Sequence, residues 1–215
     1  MTNLNFNLLT FMHISWLGQT CVKLQTKNLD TDVTILIDGY KPKTGVFPRS
    51  LSPDIALFSN GVDNAVTLSQ DPFMVSALGE NEVKNIMIYS IPDGNENIIF
   101  KIHAEGMNLV HLGKISVKPS DDVIEKIMNA DILFIPVGEK KYLDAKIASL
   151  LVSTLEPRIV IPLGLKCDNE PDSDTSAKFA SESGLLPENA ENKVIIKKKD
   201  LPQEQTKLLI LEKES

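Results

Sequence analysis

The chain has 215 residues, 42% of them hydrophobic and 24% charged, enough for one well-buried domain and short for two. Its net charge of -7 opposes broad attraction to nucleic-acid backbones or anionic lipid, both of which require an excess of Lys and Arg. The one basic run, Lys197-Lys198-Lys199, is followed by Asp200 and reads as a solvated strand end.

The two cysteines, Cys21 and Cys167, are too few for a disulfide framework and form no Cys-x-x-Cys pair, which predicts reduced thiols in a cytoplasmic protein. The first residues lack a positive leader, and asparagines break up their apolar side chains, so they fail as a signal peptide. No apolar run approaches the roughly 20 residues of a membrane-spanning helix.

Short apolar runs bounded by turn residues predict strands at 14–17, 21–24, 34–37, 55–58, 86–89 and 98–102. Gly106 then turns a hairpin between 98–103 and 107–112, with His103 as an ordinary strand residue. Ser120 is set to cap a helix through Val123, Ile124, Ile127 and Met128, with Asp121 and Asp122 at its positive end. A buried strand at 132–137 follows. A second helix from about 143 to 155 places Ala145, Ala148, Leu151, Val152 and Leu155 on one face before Pro157 stops it. Strands at 159–161, 194–196 and 208–211 complete the set, with a polar loop at 167–175 and a short helix at 176–183 ended by Gly184. Strands first, then alternating helices and strands, predict a mixed α/β sandwich.

Several segments resemble the metallo-β-lactamase superfamily, in the branch of zinc-dependent hydrolases that includes ascorbate-phosphate lactonase-like proteins. They are Met12-His-Ile-Ser-Trp-Leu-Gly-Gln-Thr-Cys21, Ile35-Leu-Ile-Asp38, Val110-His-Leu-Gly113, Ala130-Asp-Ile-Leu-Phe-Ile-Pro-Val-Gly138 and Leu155-Glu-Pro-Arg-Ile-Val-Ile-Pro162. The resemblance implies a four-layer αββα sandwich spanning 12–215 as a single domain. It also implies that residues 1–11 are an extension or a misassigned start.

In that family a strand such as 54–58 delivers histidines and an aspartate onto one or two metal ions. Here the loop reads Ser59, Asn60, Gly61, Val62, Asp63, Asn64, Ala65. The two leading histidines correspond to Asn60 and Val62, and the Asp-His pair to Asn64 and Ala65. The next family histidine would follow Ser90-Ile91-Pro92, where Asp93, Gly94 and Asn95 stand instead. The bridging aspartate corresponds to Lys114, and the last histidine to Gly164. Valine and alanine have no lone pair to give, and an ammonium repels a dication.

The family would therefore supply zinc, while this chain is expected to hold no metal. Asp38 is expected to brace the old metal loop, and His111 to be structural rather than a catalytic base. Lys114 could pair with Asp63, bind an anion, or point into solvent. The reading that follows is a non-catalytic pseudoenzyme kept for binding or assembly, through a homo-oligomer, an active paralogue or a small anionic ligand. The alternative is a hydrolase of a small anionic ester or lactone with an atypical or metal-free site around Lys114, His111 and Asp63.

Overall fold

The computed structural model describes residues 11–28, 31–48, 51–138, 140–190 and 192–214. The predicted extension at 1–11 lies outside them except for Phe11, which is exposed. The first half supplies strands β1 (Met12–Trp16), β2 (Val22–Asn28), β3 (Thr31–Ile37), β4 (Ile55–Leu57), β5 (Phe73–Val75), β6 (Gly79–Val83), β7 (Ile86–Pro92), β8 (Ile98–Ala104) and β9 (Met107–His111). The second half runs α1 (Asp121–Ile127), β10 (Ile132–Pro136), α2 (Ala145–Leu155), β11 (Ile159–Leu163), α3 (Ser176–Ser183), β12 (Pro187–Ala190), β13 (Lys193–Ile196) and β14 (Lys207–Leu211).

These strands form two sheets. One has the order β13-β1-β2-β3-β4-β5 and the other β12-β14-β11-β10-β9-β8-β7-β6. The chain crosses between them from β5 to β6 at one flank, and from β12 to β13 and back to β14 at the other. Between the sheets lies one apolar core, to which β1, β3, β9, β10 and β11 give fully buried Ile, Leu, Val and Phe side chains. This is the mixed sandwich expected from the sequence.

The helices α1, α2 and α3 link strands of the second sheet. In α2 the residues predicted to share a face are the buried ones, and the Asp144 side chain caps the helix by accepting from Lys146 N–H at 2.9 Å. Ser120 holds the N-cap position of α1, but its side chain makes no cap hydrogen bond. Over the first sheet, loops rather than helices provide cover: Tyr40, Phe47 and Leu51 pack with Leu17, Cys21 and Leu36 in a second, small cluster. Among the described residues no helix is long and apolar enough to cross a membrane.

Parallel pairing of β3 with β4, and of β9 with β10 and β11, points the carboxyl ends of these strands in a common direction within each sheet. Ile98 N–H bonds Ser59 O at 2.8 Å and Gly164 N–H bonds Gln19 O at 2.8 Å, tying the loops of the two sheets together at one edge.

Candidate functional site

The floor of this edge is a buried carboxylate. Asp38 follows β3 with φ of 53°, a left-handed conformation that Asp tolerates better than most side chains. Its Oδ1 accepts the Ser59 N–H at 2.7 Å, and its Oδ2 accepts the hydroxyls of Ser59 and Thr20, each at 2.8 Å. Three donors thus satisfy a side chain that is 4% exposed. These bonds fasten the β1–β2 turn and the 59–65 loop to the end of β3.

His111, at the end of β9, is fully buried. Its Nε2 lies 2.8 Å from Thr20 O, and its Nδ1 lies 3.0 Å from the Gly113 amide nitrogen. A carbonyl only accepts and an amide N–H only donates, so the ring is the neutral Nε2–H tautomer. Burial holds its pKa below the ordinary value, opposed by the charge of Asp38 and the Thr20 carbonyl, while Lys114 acts with burial. Both nitrogens are committed within the fold, and neither is free to take a proton from a substrate.

Around this floor stand several of the residues that the sequence resemblance set against the family's metal ligands. Asn60, Val62, Asp63 and Asn64 are exposed, and Ala65 N–H closes a turn onto Val62 O at 2.9 Å. Asp93 spends its Oδ1 on the amides of Asn95 and Asn97, at 2.8 and 3.2 Å, within its own β7–β8 turn. Asn97 in turn accepts the Lys114 N–H at 2.7 Å and donates to Leu112 O at 3.1 Å. Gly113, with φ of 67°, has no room for a side chain: an added Cβ would lie 2.6 Å from Ser59 Cβ and 2.8 Å from Ile98 O. Three loops therefore fix the backbone at Lys114, whose side chain is half-buried.

Lys114 makes no hydrogen bond or ion pair with Asp63 among the described residues, and Asp63 makes none with His111. The internal Lys114–Asp63 pair that the sequence left open is not formed, because Asp63 turns to solvent on its loop. The Lys114 charge instead acts on two buried groups, His111 and Cys21. Burial pushes the Cys21 thiol well above its ordinary pKa; Asp38 adds to that rise, and Lys114 and Lys23 oppose it.

At the last position, Gly164 is buried with φ of 70°, and the ring of Tyr142 covers it: an added Cβ would lie 2.5 Å from the ring's Cε2. Tyr142 is 5% exposed, and burial raises its hydroxyl pKa, with Glu170 and Asp38 adding to the rise. Glu170 is itself buried, held by Lys141 Nζ at 3.1 Å from both carboxylate oxygens and by Ser173 Oγ at 3.2 Å. Close by, the buried Tyr40 hydroxyl donates to Asn169 Oδ1 at 2.8 Å, and Asn169 Nδ2 donates to Thr44 O. Among the described residues no group of three His, Cys, Asp or Glu side chains could hold a metal ion.

Sequence reasoning missed Thr20, Asn97 and Tyr142 as parts of this edge. Thr20 lies inside a segment that carries the family resemblance, but nothing in the types of Thr20 and Tyr142 tells that one buttresses Asp38 and the other covers Gly164.

A profile of the β-lactamase superfamily domain matches residues 13–164, well over half of the chain. The chain belongs to the metallo-β-lactamase superfamily. A solved structure it resembles is a protein assigned to the zinc-dependent hydrolases of that superfamily from Thermotoga maritima, with 21% identity and a TM-score of 0.77 over 94% of this chain and 100% of the other. Igni18, a metallo hydrolase of Ignicoccus hospitalis, is 14% identical with a TM-score of 0.61, over 81% of this chain and 91% of its own. The metallo-β-lactamase fold protein YhfI of Bacillus subtilis is 10% identical with a TM-score of 0.57, over 95% and 98%. At these identities the likeness is one of fold. No curated protein matches the chain.

Proposed function

We propose that this chain is a metallo-β-lactamase-fold protein that works without a catalytic metal, as a cytoplasmic binding or assembly protein. The observation that carries this reading is the packing of Tyr142 on Gly164: ring carbons fill the space where a histidine at that position would begin. The donor chemistry agrees. A zinc centre uses three or four convergent His, Cys or carboxylate ligands. The corresponding positions hold Asn60, Val62, Asn64, Ala65, Lys114 and Gly164, and the nearby His111 and Asp38 are spent on Thr20, Ser59 and Gly113. The residues present do not fit the group that the family implies.

What is preserved is the frame. The brace of Asp38 on Ser59 and Thr20 and the strut of His111 hold the loops in place without serving a reaction. Such a frame suits recognition, whether of a second copy, an active relative or a small anion. A metal-free hydrolase built on Lys114, His111 and Asp63 lacks support, since no hydrogen bond joins the three and the imidazole has no free nitrogen.

The test is a hydrolase panel of p-nitrophenyl esters, bis-p-nitrophenyl phosphate and simple lactones, run with zinc, manganese or iron added. No turnover above buffer is expected in any arm. Turnover that follows added metal and disappears with EDTA would overturn the proposal.

A further inference from the structure

We infer that Lys114 forms the centre of a binding site for a small oxyanion, a carboxylate or a phosphate group, at the edge where other members of the superfamily hold metal ions. This rests on the metal-free reading above and says what the remodelled site recognises.

The first support is positional. Lys114 N–H is held by Asn97 Oδ1 at 2.7 Å, and the preceding Gly113 is wedged between Ser59 and the Ile98 carbonyl with no room for a side chain. The ammonium is thus carried on a fixed backbone at the meeting point of three loops, and its side chain is half-buried rather than free in solvent. Its charge bears on the buried Cys21 and His111, with burial the larger cause at both.

The second support is that, among the described residues, no carboxylate makes a direct ion pair with the cation, although the buried charge of Asp38 acts on the same groups. The floor carboxylate, Asp38, is saturated: one oxygen takes Ser59 N–H, and the other takes the hydroxyls of Thr20 and Ser59. His111 is neutral and fully engaged. Among the described residues no carboxylate forms an ion pair with Lys114. The 59–65 loop, whose Ser59 packs against Gly113, carries two exposed amide side chains, Asn60 and Asn64, each able to donate N–H bonds to an anion's oxygens.

A partly desolvated cation lacking an internal partner, next to neutral donors, is complementary to an oxyanion. The chain's net charge of -7 gives no long-range attraction, so recognition must come from this local geometry. Ammonium and amide donors serve a carboxylate and a phosphate alike, so the experiment must separate the two.

Isothermal titration of the purified full chain with inorganic phosphate, gluconate and uncharged glucose does so, repeated on Lys114→Met, Lys114→Gln and Lys114→Arg. Lys166→Met, a change at an exposed lysine, is the control. The expected result is saturable one-to-one binding of phosphate or gluconate but not glucose. Binding should weaken by about tenfold or more in the Met and Gln variants, be retained in part by Arg, and be unchanged in the control. Circular dichroism checks that each variant is folded. Absence of saturable binding, or equal binding by the folded Met or Gln variant, overturns the inference and leaves the metal-free reading standing. Stoichiometric metal in the purified protein would remove both.

Discussion

Tyr142 and Gly164 occupy one space: the tyrosine ring lies where a side chain on the glycine would begin, 2.5 Å from the ideal Cβ position. A Gly164→Ala change should therefore destabilise the protein twice over, through the left-handed backbone at φ of 70° and through the collision. The sum is about 2–6 kcal/mol. Adding Tyr142→Ala removes the collision and leaves the backbone term. Urea unfolding of the two single variants and the double variant should then show coupling of about 1–3 kcal/mol, the double costing less than the sum. Additive costs would mean that the ring does not occupy that space.

The Asp38 brace gives a second expectation. Asp38→Ala strands one amide and two hydroxyl donors from Ser59 and Thr20, all buried, and should cost about 3 kcal/mol or more. Asp38→Asn keeps an acceptor, tolerates the positive φ, and lets a hydroxyl reverse its role, so its cost should be about half as large. Chemical denaturation of the three proteins measures this, and an equal cost for both changes would contradict the brace.

His111 makes stability depend on pH in a defined direction. Its pKa in the folded state lies below the ordinary value of 6.5, because burial disfavours the charged ring. Unfolded chains therefore bind the proton first as pH falls, and the native state loses stability below about pH 6.5. Above that value the contribution is complete. The loss can approach about 1.4 kcal/mol per pH unit until the folded ring itself protonates. The pKa of His13 is also lowered, by burial and then by Lys193, so the clean measurement is the difference between wild type and His111→Asn. That difference should shrink as pH falls from 7 to 5. A difference that stays constant over this range would mean that the ring is not held neutral.

Much of this architecture could be read from the sequence, because central strands such as β3, β10 and β11 are apolar runs with turn residues at their ends. Of the edge strands, β13 was legible at 194–196, but β5, β6 and β12 were not. Glu80-Asn-Glu82 in β6 has no apolar face to betray it, and it pairs only because Lys84 and Asn85, both with positive φ, turn the chain back into β7. The segment Pro187–Ala190 is likewise polar and becomes a strand by lying parallel beside β14. At the site, the residue types on which the proposed loss of the metal rests, Val62, Ala65 and Lys114 above all, were visible in the sequence. The engagement of both His111 nitrogens and the placement of Tyr142 over Gly164 were not, since they depend on contacts between residues far apart in the chain.

The central claim is that this member of the superfamily works without a metal. Elemental analysis by inductively coupled plasma mass spectrometry, on protein purified without added metal or chelator, tests it most directly. Zinc, manganese and iron together should come to well under about 0.1 equivalent per chain, and equilibration with each followed by desalting should not raise that value. One or two equivalents of any of them, retained through desalting, would contradict the account.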